Sequence, residues 1–227
     1  MDSTSSPLGA LPGYLLRGSG RLPKRERTRL GLMEAAVAVF AERGVEATTI
    51  QDIALAARVA TGTFYNHFKA KEELLSALAL WVGEGFCQRI VQSYASIADG
   101  AERMAIGNRR YVRLAIESPR WALLFLQVNA AAPEASAELE KYALADLRLG
   151  VKQQRFRISH ERAALDLISG AITFGMRTVA LGHAPSKRAV PGGYDSAVAT
   201  LILQGLGMAS DEAISLAHRP LPAMPED

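Results

Sequence analysis

Polar side chains that could contact a nucleic acid are concentrated between residues 48 and 71. Hydroxyl, amide, imidazole and ammonium groups contact phosphates and the edges of bases. The candidates are Arg25, Thr49, Gln51, Thr61, Thr63, Tyr65, Asn66, His67 and Lys71. Together these residue types favour DNA binding, whereas any one of them alone is explained equally well by capping, packing or a solvated surface.

Charge is unevenly distributed along the chain, although the formal net charge is only +3. Up to Lys71 there are 10 basic and 6 acidic residues, and the rest of the chain carries 16 basic and 17 acidic residues. A positive field therefore lies over the N-terminal part, where it would attract a polyanion. A solvated basic surface without a partner is the alternative that charge alone leaves open.

Apolar residues at helical spacing predict the elements that position these side chains. A first helix covers about residues 25–43, and Gly44 is its C-terminal stop. Thr48 or Thr49 then caps a short second helix. Gln51 follows Thr48 by three residues, which is the spacing of a capping box.

A third helix is predicted at about residues 61–67, after a break at residues 58–60. Phe64 and Phe68 are four residues apart and share its inner face, so the polar residues fall on the outer face. Two short helices joined by a tight turn, after a longer supporting helix, are typical of a helix-turn-helix. In that motif the second of the two helices enters the major groove of DNA.

This segment resembles the N-terminal signature of the TetR family of transcriptional regulators. The matching stretches are TTIQDIA at residues 48–54, VATGTFYNHF at 59–68 and KEELL at 71–75. The resemblance implies that the third helix carries the residues at or near DNA, namely Thr61, Thr63, Tyr65, Asn66 and His67. Tyr65 and His67 would mostly touch the backbone. Thr49 would favour a phosphate, Gln51 would reach a base and Lys71 would clamp a phosphate.

Two residues depart from the family pattern around the turn. Arg58 stands where glycine is usual, which costs about 1 kcal/mol if the backbone there requires a positive φ. Ala60 stands where a serine cap is common, so capping of the third helix is weak or moves to Thr61. These departures affect the turn geometry and not the motif itself.

Helical periodicity continues to the end of the chain, without strand alternation or an internal repeat. We expect an all-α fold with a flexible arm at residues 1–23, a three-helix DNA-binding domain at 24–71 and a larger helical ligand-binding and dimerisation domain at 72–227. Arg17 and Arg21 would let the arm touch DNA. A plain disordered leader explains its Ser, Gly and Pro content equally well.

Two helices near the C-terminus are apolar around most of their circumference. The first has a narrow polar stripe of Arg162, Asp166, Ser169, Thr173 and Arg177, and the second has Ser196, Thr200 and Gln204. Such helices must be buried on two sides, which predicts a homodimer, with burial inside one subunit as the alternative. TetR-like proteins dimerise through their last two long helices. A twofold dimer would place two reading helices on a palindromic operator.

Aromatic residues with a few polar ones between these parts predict a cavity for a small molecule. The candidates are Trp81, Phe86, Met104, Tyr111, Trp121, Phe125, Asn129 and Tyr142. Residues at helical spacing are more often plain core. The resemblance makes a pocket expected without identifying its ligand.

Enzyme chemistry has little support in the sequence. The histidines His67, His160, His183 and His218 lack metal-ligand spacing, and no nucleophile motif or cofactor motif is present. Cys87 is the only cysteine, and with no signal peptide pattern it favours a cytoplasmic protein. The apolar stretch at residues 163–182 contains Asp166 and Arg177, which favours a buried helix over a membrane span.

We therefore expect a ligand-responsive repressor that binds a palindromic operator as a homodimer and is released by a small molecule. A ligand-independent architectural or co-regulatory DNA-binding protein is the main alternative, and an all-helical enzyme is a remote one. A closed, fully packed C-terminal core would favour the architectural protein. Clustered polar side chains in a cavity would be needed for the enzyme.

Overall fold

A computed structural model of the chain describes residues 23–182 and 192–225. Within those residues the chain forms ten α-helices and no β-strand, which confirms the all-α class. The helices are α1 (Lys24–Arg43), α2 (Ile50–Ala56), α3 (Thr61–Tyr65), α4 (Lys71–Ser93), α5 (Gly100–Glu117), α6 (Pro119–Ala131), α7 (Pro133–Lys152), α8 (Glu161–Gly182), α9 (Tyr194–Gly205) and α10 (Ser210–Ala217). Residues 1–22 of the expected arm, with Arg17 and Arg21, lie outside the described residues, as does His183.

Capping of α2 differs from the sequence-based expectation. Thr49 is the N-cap, and Asp52 completes the capping box, so the predicted pairing of Thr48 with Gln51 is wrong. Thr48 is buried, and its hydroxyl donates to the Gly44 carbonyl 2.7 Å away. Gln51 therefore stays exposed and free of a capping role.

The turn between α2 and α3 depends on Arg58, whose φ of 56° lies in the left-handed region. The condition stated from the sequence is therefore met, and a Cβ there costs about 1 kcal/mol relative to glycine. Helix α3 begins after Ala60 with no side-chain cap and ends at Tyr65, before the predicted end at His67. An uncapped helix of this length depends on packing for its stability.

The described residues divide into two compact units. Unit 1 comprises residues 23–85 and 124–136, and unit 2 comprises residues 86–123, 137–182 and 192–225. Helices α4, α6 and α7 each contribute residues to both units. The core of unit 1 is a continuous cluster of buried side chains that includes Leu32, Met33, Val37, Phe40, Ile53, Phe64, Phe68, Leu74, Leu75, Leu78, Leu124 and Val128.

In unit 2, α5 packs against both α8 and α9. A buried ion pair fastens α5 to α9, with the Nε of Arg109 3.0 Å from an Asp195 carboxylate oxygen. Helices α4 and α8 are long and apolar enough to cross a membrane by length and composition. This is weak evidence, because the core helices of soluble proteins meet the same criterion.

Replacing Arg58 with glycine is expected to raise the free energy of unfolding by about 0.5–1 kcal/mol, because glycine adopts a positive φ without Cβ strain. The midpoint of denaturant unfolding measures the change. Ala57→Gly is the matched control, since Ala57 has an ordinary φ of −75° and glycine there should lower the midpoint. A lowered midpoint for Arg58→Gly would contradict the strain assigned to this turn.

Candidate functional site

Helix α3 is oriented by the burial of its inner face. Phe64 is fully buried and Phe68 is 1% exposed, with their ring centroids 5.6 Å apart. Tyr65 packs edge-on against Phe64 and is still 55% exposed. The predicted DNA-facing side chains are consequently exposed or half-buried, namely Thr61, Thr63, Tyr65, Asn66 and His67. Their contact with DNA stays a prediction.

Thr49 is engaged inside the protein. Its hydroxyl donates to a carboxylate oxygen of Asp52 at 2.6 Å, and the same carboxylate accepts from the Thr49 backbone N–H at 2.9 Å. Arg43 also donates to Asp52, at 3.1 Å. The hydrogen bonds from Thr49 and the charge of Arg43 hold the pKa of Asp52 below its usual value. Thr49 thus caps α2, which is one of its two expected roles, and its contact with a phosphate stays a prediction.

Lys71 ties the start of α4 to the turn between α1 and α2. Its Nζ donates to the carbonyl of Val45 at 2.9 Å and to that of Thr48 at 3.0 Å. An ammonium group has three donors, so one remains for a phosphate. The phosphate clamp stays a prediction. The structural role of Lys71 was missed by sequence reasoning, because the partners lie 26 and 23 residues away in the chain.

Two arginines of α1, Arg25 and Arg29, lie near His67 at the end of α3. Partial burial, and then the positive charges of Arg25 and Arg29, lower the pKa of His67 below its usual value. The Arg29 guanidinium lies 4.8 Å from the centroid of the Phe68 ring. Arg29 was absent from the sequence-based candidates, although its spacing of four from Arg25 on α1 was a usable signal.

Unit 2 contains a cavity of about 70 Å³ between α4, α5, α7 and α8. Its lining residues are Cys87, Ile90, Val91, Tyr94, Met104, Gly107, Asn108, Tyr111, Leu139, Tyr142, Ala143, Asp146 and Ile172. Apolar and aromatic side chains dominate this lining, with a few polar groups among them. That composition is typical of a small-molecule site.

The predicted ligand residues are only partly brought together. Met104, Tyr111 and Tyr142 line the cavity. Phe86 and Trp121 are buried in unit 2, and the Phe86 ring lies 5.0 Å from that of Tyr111, but neither of the two lines the cavity.

The other three predicted ligand residues, Trp81, Phe125 and Asn129, belong to unit 1 and are not among the lining residues. Trp81 packs against the core of unit 1. Asn129 donates to the Phe125 carbonyl at 2.7 Å and accepts from the Ser136 hydroxyl at 2.7 Å. Asn129 therefore stabilises the connection between α6 and α7 by hydrogen bonding to both helices.

Sequence reasoning missed the polar groups of the cavity. The Tyr94 hydroxyl donates to an Asp146 carboxylate oxygen at 2.7 Å. Burial raises the pKa of Asp146 to about 6, although the bond from Tyr94 and the charge of Arg103 act in the opposite direction. Asn108 is 2% exposed, and its amide nitrogen has no hydrogen-bond partner among the described residues. The sequence did contain a signal for Asp146, because it lies four residues after Tyr142 and seven after Leu139 and so shares their face of α7.

Two family models match the chain. The model described as bacterial regulatory proteins, tetR family, covers residues 32–78, and the model described as tetracyclin repressor-like, C-terminal domain, covers residues 99–219. The fold and the exposed face of α3 define a helix-turn-helix DNA-binding transcriptional regulator. The chain belongs to the TetR family.

Individual relatives agree with this membership. The chain is 43% identical over 68 residues to the HTH-type transcriptional repressor KstR2 of Mycobacterium tuberculosis. The matched segment is 30% of this chain and 32% of that repressor. It is also similar to the crystal structure of RolR in complex with the ligand resorcinol, with 32% identity over 89% of this chain and 98% of RolR and a TM-score of 0.72. RolR without ligand gives 30% identity and a TM-score of 0.68.

The raised pKa of Asp146 predicts a specific pH dependence of stability. A carboxyl whose pKa is raised by folding stabilises the fold at low pH, and this contribution is lost as pH rises through about 6. Between pH 4 and pH 7 the wild type should therefore lose on the order of 1–3 kcal/mol relative to Asp146→Asn, which carries no charge. Denaturant unfolding at the two pH values measures the difference. Glu138→Gln, an exposed change on the same helix, should follow the wild type, and parallel profiles for all three proteins would contradict the prediction.

Proposed function

We propose that the chain is a ligand-responsive repressor that binds a palindromic operator as a homodimer and leaves it when a small molecule occupies the cavity of unit 2. The observation that carries the proposal is the buried Phe64, which turns the polar side of α3 outward, where Arg25 and Arg29 lie near its C-terminal end. The presence of a cavity favours this function over a ligand-independent architectural protein. The protein would act in the bacterial cytoplasm, where its operator lies.

DNA recognition divides into two kinds of contact. Thr61 and Thr63 on α3, Asn66 at its C-terminal cap and Gln51 on α2 would read base edges. Arg25, Arg29 and Lys71 would contact phosphates, as would the Tyr65 hydroxyl. Contacts of the second kind position the protein without reading sequence, so the two groups should respond differently to substitution.

Dimerisation is supported by apolar side chains that one chain leaves exposed on α8 and α9. Phe174 is 69% exposed, Leu201 is 67% exposed and Leu167 is 42% exposed. Leu167 and Phe174 are seven residues apart and so lie on one face of α8. A Cβ on Gly205 of α9 would lie 2.6 Å from the Leu167 Cδ2 atom, so Leu167 of α8 and Gly205 of α9 are neighbours on this surface. A second copy related by a twofold axis would cover this surface.

Ligand release would act through α4, because this one helix contributes to both units. Its N-terminal half supplies Leu74 and Leu78 to the core of unit 1, and its C-terminal half supplies Ile90 and Val91 to the cavity lining. A ligand that favours a shifted α4 would change the separation of the two reading helices and lower operator affinity. RolR, at 32% identity, has been crystallised with the ligand resorcinol, which supports a small-molecule effector for this chain.

Arg25→Ala is expected to weaken binding to all duplexes by a similar factor and to lower the slope of log affinity against log salt by about 1, because one phosphate contact is lost. Fluorescence anisotropy on a random-sequence duplex across a salt series measures the slope. Arg120→Ala removes an exposed arginine of unit 2 and is the matched control, with an unchanged slope. If both variants change the slope equally, Arg25 makes no phosphate contact.

Phe174→Arg is expected to convert the dimer to a monomer, because a charge would replace the most exposed apolar side chain of α8. Sedimentation velocity gives the oligomeric state, and operator affinity should fall with it. Leu55→Arg is the matched control: Leu55 is 79% exposed on α2, outside the proposed dimer surface, and its variant should stay dimeric. If the Phe174→Arg protein remains a dimer, α8 does not form the dimer interface and the proposed surface is wrong.

A further inference from the structure

We infer that the cavity of unit 2 selects a small neutral molecule of about one ring that carries a hydroxyl group, bound by Asp146 and Asn108, and that it excludes carboxylates. The inference rests on the proposed effector role of this cavity and assigns the chemistry of the effector. Its basis is the set of polar groups, the charge and the volume of the cavity.

Asn108 provides an unused donor. Its side chain lines the cavity, it is 2% exposed, and its amide nitrogen has no partner among the described residues. A buried polar group without a hydrogen bond is costly, and native proteins almost always satisfy such groups. A ligand with an acceptor oxygen would satisfy this nitrogen.

Asp146 provides an acceptor in the same cavity. One of its oxygens accepts from the Tyr94 hydroxyl, and a carboxylate has about four acceptor sites in total. A hydroxyl group is the smallest group that both donates and accepts, so it suits a lining that offers the acceptor Asp146 and the donor Asn108. A carbonyl group could satisfy only Asn108.

The charges around the cavity exclude anionic ligands. Among the residues that the structure describes, its lining contains Asp146 and no lysine, arginine or histidine. The nearby cation is Arg103 of α5, whose Nε donates to the Ile97 carbonyl at 2.6 Å and whose guanidinium lies 5.6 Å from the Tyr94 ring. The remaining titratable side chains of the lining are Cys87, Tyr94, Tyr111 and Tyr142, none of which is a cation. A ligand carboxylate would meet Asp146 without a counter-charge in the lining.

The volume suits a ligand of about one ring. One water-sized group needs about 10–15 Å³ in such a cavity, so 70 Å³ holds about five to seven of them, which is a single ring with one substituent. The apolar walls formed by Ile90, Leu139 and Ile172 suit the ring, and the polar groups suit the substituent.

Three ligands of similar shape test the assignment on the full-length protein: phenol, toluene and benzoate. Isothermal titration calorimetry should give the highest affinity for phenol. Toluene should bind about 10- to 100-fold more weakly, on the scale of hydrogen bonds to a charged group, and benzoate should not bind detectably. Benzoate binding as tight as phenol binding, or equal affinities for phenol and toluene, would overturn the inference.

Two variants locate the selectivity. Asp146→Asn and Asn108→Leu should each lower the affinity for phenol about 10-fold or more while toluene binding is kept, so toluene also reports that the variants are folded. Glu138→Gln, an exposed acid-to-amide change on the same helix as Asp146, should leave all three affinities unchanged. Unchanged phenol affinity in both cavity variants would overturn the assignment of these residues.

Operator binding separates this inference from the proposed function. If phenol binds as described but does not release DNA, the ligand chemistry is supported and the effector role fails. If none of the three ligands binds while the protein still binds its operator, the ligand chemistry is wrong and the DNA-binding function stands.

Discussion

Burial of the Phe64 and Phe68 rings is the interaction on which the reading face depends. Helix α3 has only five residues and no side-chain cap, which is too short to be stable by itself. Its position is therefore imposed by the core of unit 1, to which α1, α2 and α4 contribute. Because Phe64 points inward, Tyr65 and Asn66 must point outward, and the polar face is a consequence of the apolar one.

Some polar residues near this face stabilise the unit as much as they offer contacts to DNA. The Lys71 ammonium donates hydrogen bonds to two carbonyls of the segment before α2, and the Thr49 hydroxyl donates one to Asp52. Arg58 occupies a left-handed turn that glycine would adopt more easily. The strain at that turn is offset by the surrounding core, which leaves an arginine where it can also attract phosphate.

The parts of the fold that depend on near neighbours could be predicted from the sequence. The bounds of α1, the stop at Gly44 and the inward side of α3 all follow from helical spacing and local chemistry. The carbonyl partners of Lys71 could not be predicted, because they come together only in the folded chain. The lining of the cavity could be predicted only in part for the same reason. Helical spacing identified Met104 and Tyr111, which do line it, but spacing alone could not show that Trp81 and Asn129 belong to unit 1 and not to the cavity.

The central claim is that two copies of α3 read DNA together. Selection of bound duplexes from a random pool by the purified full-length protein tests it most directly. The account predicts an enriched palindrome, because a twofold dimer presents two identical reading helices. Enrichment of a sequence without twofold symmetry, or no enrichment over the starting pool, would contradict it.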